Sequence, residues 1–134
     1  MNIIDKNGLI LHKIIRSNEI NNGRFDYSAN EQFLQVATLR HDKGMTFKPH
    51  KHKWNLPRVE MSITQECWVV IRGMIEAIYY DREGNLLCNK MLHPGDITIT
   101  YDGGHNYIFR DDDCYVVEIK TGPYLGKEHD KTLI

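Results

Sequence analysis

Hydrophobic and polar positions along this chain alternate in short runs, and each run ends at a cluster of turn residues. Residues 66–72 and 74–80 follow the two-residue period of a β-strand. Residues 81–85 and 93–96 carry the Asp, Asn, Pro and Gly residues that favour turns. Long helical patterns are missing and residues 18–30 are irregular, so the pattern predicts an all-β sandwich or barrel. The predicted strands are 8–15, 33–40, 45–52, 60–64, 66–72, 74–80, 86–92, 97–100, 105–110 and 114–120.

The composition narrows the possible classes of function. Among 134 residues there are 17 Lys and Arg and 18 Asp and Glu, which gives a formal net charge of −1. A near-neutral chain lacks the positive charge that favours binding of nucleic acid. No apolar run approaches the roughly 20 residues that span a bilayer, and residues 1–6 do not resemble a signal peptide. We therefore expect a soluble, cytoplasmic protein that binds neither nucleic acid nor a membrane.

The three cysteines, Cys67, Cys88 and Cys114, are widely spaced within apolar, strand-like runs. Three cysteines in such runs are typical of buried free thiols in a reducing compartment. The sequence therefore predicts no disulfide framework.

Two histidines form the first half of a candidate metal site. His50 and His52 are two residues apart within a predicted strand, so their side chains lie on the same face. That spacing suits two neighbouring ligands of one ion. A solvated basic stretch over residues 48–53 is the competing interpretation.

A carboxylate and a third imidazole complete this candidate site. Glu66 shares a strand face with Trp68, an apolar residue of the kind that lines a barrel, and an inward carboxylate is costly unless it is paired or coordinated. His105 shares a face with Tyr107. Three imidazoles and one carboxylate suit a divalent transition metal, namely Fe, Mn, Ni, Zn or Cu. A rim position for Glu66 and a turn position for His105 are the alternatives. The remaining histidines are predicted to be surface or turn residues: His12, His41, His93 and His129.

The order and spacing of these residues resemble those of the cupin superfamily. The first cupin motif is a Gly, five residues, His-x-His, a short gap, a Glu, six residues and a Gly. In this chain Gly44, His50, His52, Glu66 and Gly73 stand in that order. The resemblance implies a double-stranded β-helix, or jelly-roll, barrel with a metal centre inside it.

The second cupin motif runs from a Gly through a Pro-containing turn to a His. Here it corresponds to Gly95, Gly103–Gly104 and His105, with Tyr101 in place of the turn proline. The resemblance covers residues 33–120. It implies one domain over 1–134, with an N-terminal arm at 1–32, a barrel core at 33–120 and a C-terminal loop at 121–134.

The gap between the His pair and Glu66 is longer than in the family pattern. It holds 13 residues, so we expect residues 54–65 to form an excursion over the mouth of the barrel. This length leaves Gln65 and Glu60 as alternatives to Glu66 for the fourth ligand.

Three further segments are similar to one group of short, single-domain cupins. They are Thr64–Gln65–Glu66, Gly103–Gly104–His105 and Lys120–Thr121–Gly122–Pro123–Tyr124. Members of that group accompany enzymes of surface-polysaccharide or sugar modification. The resemblance therefore implies a small polar ligand, such as a sugar or a sugar nucleotide.

Three functions fit this sequence: a metal-dependent enzyme, a non-catalytic metal-dependent binding module, or a metal-free isomerase or epimerase with His50 or His105 as base. The candidate ligand-binding residues are Arg58, Trp68, Tyr107, Lys120 and Tyr124, each of which also has a purely structural interpretation.

Open strand edges of a small barrel favour pairing with another chain. We therefore expect a homodimer in which residues 8–15 add to the sheet of a partner.

Overall fold

The computed structural model describes residues 1–29, 32–43, 45–46, 48–49 and 63–121, and within them the fold is all-β, as predicted. One 3-10 turn, Ser17–Glu19, is the helical element of this part of the chain. In chain order the described strands are β1 (Asn2–Ile4), β2 (Ile10–Ile15), β3 (Gly23–Asp26), β4 (Ala37–Arg40), β5 (Glu66–Arg72), β6 (Ile75–Tyr80), β7 (Leu86–Leu92), β8 (Ile97–Thr100), β9 (Gly104–Phe109) and β10 (Tyr115–Lys120).

The strands form three antiparallel sheets. The largest has the order β1-β2-β8-β5-β10, the second has the order β7-β6-β9, and β3 pairs with β4. Ile14 and Val70 of the five-stranded sheet pack with Ile75, Tyr79 and Leu92 of the three-stranded sheet in one buried cluster. The two sheets therefore face each other, as in a β-sandwich or barrel.

The five-stranded sheet is buried on both of its faces at β8, where all four residues are buried. Ile97 and Ile99 belong to an outer cluster that Leu34 and Tyr101 complete, whereas Thr98 and Thr100 alternate with them and lie on the opposite face. The segment before β4, which contains Leu34 and Val36, therefore covers one face of the sheet, and the threonine hydroxyls line the interior between the sheets.

Most strands after residue 65 agree with the sequence prediction, and those of β5, β7 and β8 have the predicted bounds. The two strands predicted in the middle of the chain, 45–52 and 60–64, do not agree with the structure where it is described. Residues 45–46 and 48–49 of the predicted strand 45–52 are outside any strand, and so are Ile63 and Thr64 of the predicted strand 60–64; the other residues of both lie outside the described part of the chain. The short β1 was not predicted.

The route predicted for dimer formation is wrong. β2 pairs with β1 along one edge and with β8 along the other, so neither edge is left for a partner's sheet. The homodimer itself stays a prediction.

All three cysteines are free, as predicted. Cys67 is buried, and its burial raises the pKa of its thiol to about 11, so little of the reactive thiolate forms near neutral pH. Cys88 and Cys114 are half-buried rather than buried. In the described residues, no helix has the length and apolar character needed to cross a bilayer.

Gly103 lets the turn between β8 and β9 pack tightly against the end of β6. Its φ of +77° lies in the left-handed region, and a Cβ atom there would come 2.5 Å from the carbonyl oxygen of Tyr80. The same Cβ would lie 3.3 Å from His12 Nε2. The glycine therefore fixes how β9, which carries His105, leaves the turn.

We predict that Gly103→Ala lowers the free energy of unfolding by about 3 kcal/mol, because left-handed strain adds to a backbone clash. Gly8→Ala is the matched control, since Gly8 has a similar φ of +82° and a Cβ atom added there would meet no described atom within 4 Å. Urea denaturation of both variants measures the difference. Equal losses would show that the contact with Tyr80 contributes nothing.

Candidate metal and ligand site

Glu66 and His105 meet inside the structure, although they come from different sheets. Glu66 begins β5 and is 5 % exposed, and His105 is the second residue of β9. Glu66 Oε1 lies 3.1 Å from His105 Nε2. Two of the four predicted metal ligands are thus brought together.

The distance between these atoms fits two ligands of one ion. Donors about 2.1 Å from a metal lie about 3.0 Å apart at a right angle and about 3.4 Å apart at a tetrahedral angle. The observed 3.1 Å falls between these values, and imidazole with carboxylate is a set that divalent transition metals accept. His50 and His52 lie outside the described residues. Within the residues that are described, no three His, Cys, Asp or Glu side chains form a metal-binding group.

Gln65, one of the alternative ligands, makes a different set of contacts. Its Oε1 accepts a hydrogen bond of 2.8 Å from the Leu34 N–H, and its Nε2 donates to Gln32 Oε1 and to the Tyr101 carbonyl. Gln65 therefore ties the covering segment to the outer face of the sheet, while Glu66 faces inward. Glu60 lies outside the described residues.

His12 is a polar residue of the interior, and its prediction as a surface or turn residue is wrong. It is fully buried and pairs across the sheet with Thr100, which in turn pairs with Glu66. The three side chains therefore form one row on the inner face. The available signal was strand parity, because His12 shares a face with Ile14 in an otherwise apolar run.

Hydrogen bonds join His12 to a series of buried hydroxyl groups. His12 Nε2 lies 3.1 Å from the Tyr80 carbonyl oxygen, and His12 Nδ1 lies 3.1 Å from Thr100 Oγ1. Thr100 and Thr98 lie close enough to the Tyr107 hydroxyl to lower its pKa, against the larger effect of burial. The Tyr79 hydroxyl lies 2.7 Å from Thr98 Oγ1.

The carbonyl group of Tyr80 fixes the direction of the hydrogen bonds that His12 makes. Because a carbonyl only accepts, His12 Nε2 must donate to it, and Nδ1 of the neutral ring must then accept from Thr100. Burial raises the pKa of Tyr107 above its usual range. Tyr107 therefore keeps its hydroxyl proton near neutral pH, and its ring forms a wall of the site.

An aromatic group lies beside the Glu66–His105 pair. The rings of Trp68 and Tyr107 stack with centroids 4.0 Å apart, and the His105 ring lies 5.1 Å from that of Tyr107. Trp68 Nε1 and His105 Nδ1 are buried and have no hydrogen-bond partner among the described residues. An indole N–H can only donate a hydrogen bond, and within the described part of the chain Trp68 Nε1 has no acceptor.

The other predicted site residues divide between the described and undescribed parts of the chain. Lys120 is half-buried and pairs across β10 and β5 with Glu66. Arg58 and Tyr124 lie outside the described residues. His41 and His93 are exposed, as predicted, and His129 lies outside the described residues.

Comparisons with family models, with curated proteins and with solved structures found no match for this chain. The site is therefore interpreted from its own geometry.

We predict that acid destabilises the fold through His12. Burial lowers its pKa from 6.5 to about 4, so the unfolded chain takes up a proton at a higher pH than the folded chain does. The stability contributed by the neutral ring is present above pH 6.5 and is lost as the pH falls towards 4, by about 3 kcal/mol.

Denaturation curves measured from pH 7 to pH 4 test this prediction. His12→Gln should lose stability at pH 7 but remove this part of the pH dependence, because glutamine does not titrate. His93→Gln, at an exposed histidine, is the control and should keep it. An unchanged pH dependence in His12→Gln would contradict the assignment.

Proposed function

We propose that this protein is a metal-dependent cupin that binds, and acts on, a small oxygen-rich molecule such as a sugar or a sugar nucleotide. The observation that carries the proposal is the convergence of Glu66 and His105 at 3.1 Å from opposite sheets. The two facing antiparallel sheets support a jelly-roll barrel. His50, His52, Glu66 and His105 would hold the ion.

The chain's own groups supply the rest of the site. A bound divalent metal would polarise an oxygen of the ligand as a Lewis acid, which favours isomerisation or epimerisation of a hydroxy-carbonyl compound. The Trp68 N–H offers a hydrogen bond to a second ligand oxygen, because it is buried without an acceptor among the residues described. Trp68 and Tyr107 form an aromatic wall, since their rings stack with centroids 4.0 Å apart.

One observation favours a second candidate, a metal-free isomerase or epimerase. The 3.1 Å separation is also short enough for a hydrogen bond, in which His105 Nε2–H would donate to the Glu66 carboxylate. Nδ1 of the neutral ring then carries a lone pair, and this atom has no partner within the described ranges. Glu66 would orient His105, and His105 Nδ1 would accept a proton from the ligand.

Metal analysis of protein purified without a His tag separates the two candidates. We expect roughly one divalent metal per chain, and Glu66→Gln and His105→Ala to weaken metal affinity by at least about tenfold, because each removes a ligand. Glu76→Gln is the control, since Glu76 of β6 pairs with Arg110, which follows β9, on the face of the three-stranded sheet opposite to that of His105.

Elemental analysis by mass spectrometry, before and after reconstitution with Fe, Mn, Ni, Zn or Cu, gives the occupancy. A chain that binds none of these ions would contradict the metal-dependent function and favour the Glu66–His105 base. Equal metal loss in Glu76→Gln would show that the effect is not specific to the site.

A further inference from the structure

A cavity lies at the end of the fold away from the Glu66–His105 pair. It has a volume of about 560 Å³, which is within the range of small-molecule sites. Asp96 in its wall comes four residues before Thr100, which pairs with Glu66, so the cavity and the pair are about 13 Å apart along β8. The cavity is lined by the 3-10 turn after β2, the end of β7 and the turn before β8, at Arg16, Ser17, Asn18, Met91, His93 and Asp96.

A buried carboxylate holds the side chain of Arg16 in place. Arg16 Nη1 donates to Asp96 Oδ2 at 2.5 Å and to the Met91 carbonyl at 2.8 Å. Asp96 is 2 % exposed and also accepts from the main-chain N–H groups of Ser17 and His93, each at 3.0 Å. These contacts use both hydrogens of Nη1, so the guanidinium group is oriented before any ligand binds.

Close main-chain packing fixes the wall of the cavity as well. Gly95, in the turn before β8, has a φ of +86°, and a Cβ atom there would come 2.7 Å from the Cβ atom of Ser17. Glycine allows this approach because it has no side chain and accepts a positive φ. The turn and the Arg16–Ser17 segment are therefore held together by packing and by the Arg16–Asp96 ion pair.

The other edge of the Arg16 guanidinium group, formed by Nε and Nη2, has no acceptor among the described residues. The exposed Glu19 carboxylate accepts from the main-chain N–H of Arg16 instead. In Arg24, Arg82 and Arg110 the same edge contacts a carboxylate through both nitrogens. Two parallel N–H groups match two oxygens of a carboxylate or a phosphate. The side chain of Arg16 is 29 % exposed, so this edge is accessible to a ligand in the cavity.

We propose that this cavity binds an oxyanion, namely the carboxylate or phosphate group of a small molecule, through Nε and Nη2 of Arg16. The Ser17 hydroxyl, the Asn18 amide and the His93 ring line the same cavity and can donate further hydrogen bonds. Asp96 does not compete for this edge, because its carboxylate is bonded to Nη1 and to two main-chain N–H groups. The proposal is independent of the metal-dependent function, since none of these residues belongs to the Glu66–His105 site.

Nuclear magnetic resonance of the isotope-labelled protein tests the site, with inorganic phosphate and acetate as separate probes at constant ionic strength. The Arg16 Nε–H resonance should shift and saturate with at least one probe, and the probe that binds more tightly identifies phosphate or carboxylate as the ligand group. Arg40 is the internal control, because it is exposed outside the cavity and its Nη1 donates to the Ile20 carbonyl. No saturable shift at Arg16 with either probe, or an equal shift at Arg40, would overturn the proposal.

Substitutions test whether the cavity itself holds the anion. Asn18→Asp should weaken binding of the probe about fivefold, because it brings a negative charge into the cavity and leaves the Arg16–Asp96 pair intact. Asn7→Asp is the matched control, since Asn7 lies in an exposed turn at the opposite end of β2, and its binding should not change. Arg16→Lys keeps the charge but loses the paired N–H groups, so it should weaken binding about tenfold. Equal weakening in Asn18→Asp and Asn7→Asp, or full binding by a folded Arg16→Lys, would overturn the proposal.

Discussion

A carboxylate enclosed between two β-sheets is the constraint on which the rest of this structure depends. Glu66 is 5 % exposed, and a charge in such a place is costly unless another group pairs with it. His105 approaches it to 3.1 Å from the opposite sheet. The packing of the sheets and the chemistry of the interior are therefore linked, because the same contact joins the sheets and forms the candidate site.

Polar groups around this pair are held by a directional set of hydrogen bonds. The Tyr80 carbonyl fixes the tautomer of His12, and it thereby fixes the direction of the hydrogen bond that Thr100 donates to His12. A threonine-rich β8, buried on both faces, makes this possible, because its isoleucines face the outer cluster and its hydroxyls face inward. The hydroxyls of Thr98 and Thr100 are thus hydrogen-bonded within the interior. Trp68 Nε1 and His105 Nδ1 are buried and have no hydrogen-bond partner among the described residues.

The sequence predicted the local features better than the long-range ones. Alternation and turn residues identified β5, β7 and β8 with their observed bounds, because those segments are regular and end at strong turn signals. Strand parity also placed Glu66 and His105 inward. The prediction that His12 lies at the surface is wrong, because the burial of His12 depends on strands that are distant in the chain. The sequence also did not predict that β2 pairs along both of its edges, because one of its partners, β8, is distant in the chain and the other, β1, was not predicted.

The most direct test of the central claim is an anomalous difference map from crystals of the metal-loaded protein. The account predicts one strong peak between Glu66 Oε1 and His105 Nε2, about 2.1 Å from each atom. A peak elsewhere in the molecule, with Glu66 and His105 still in direct contact, would contradict it.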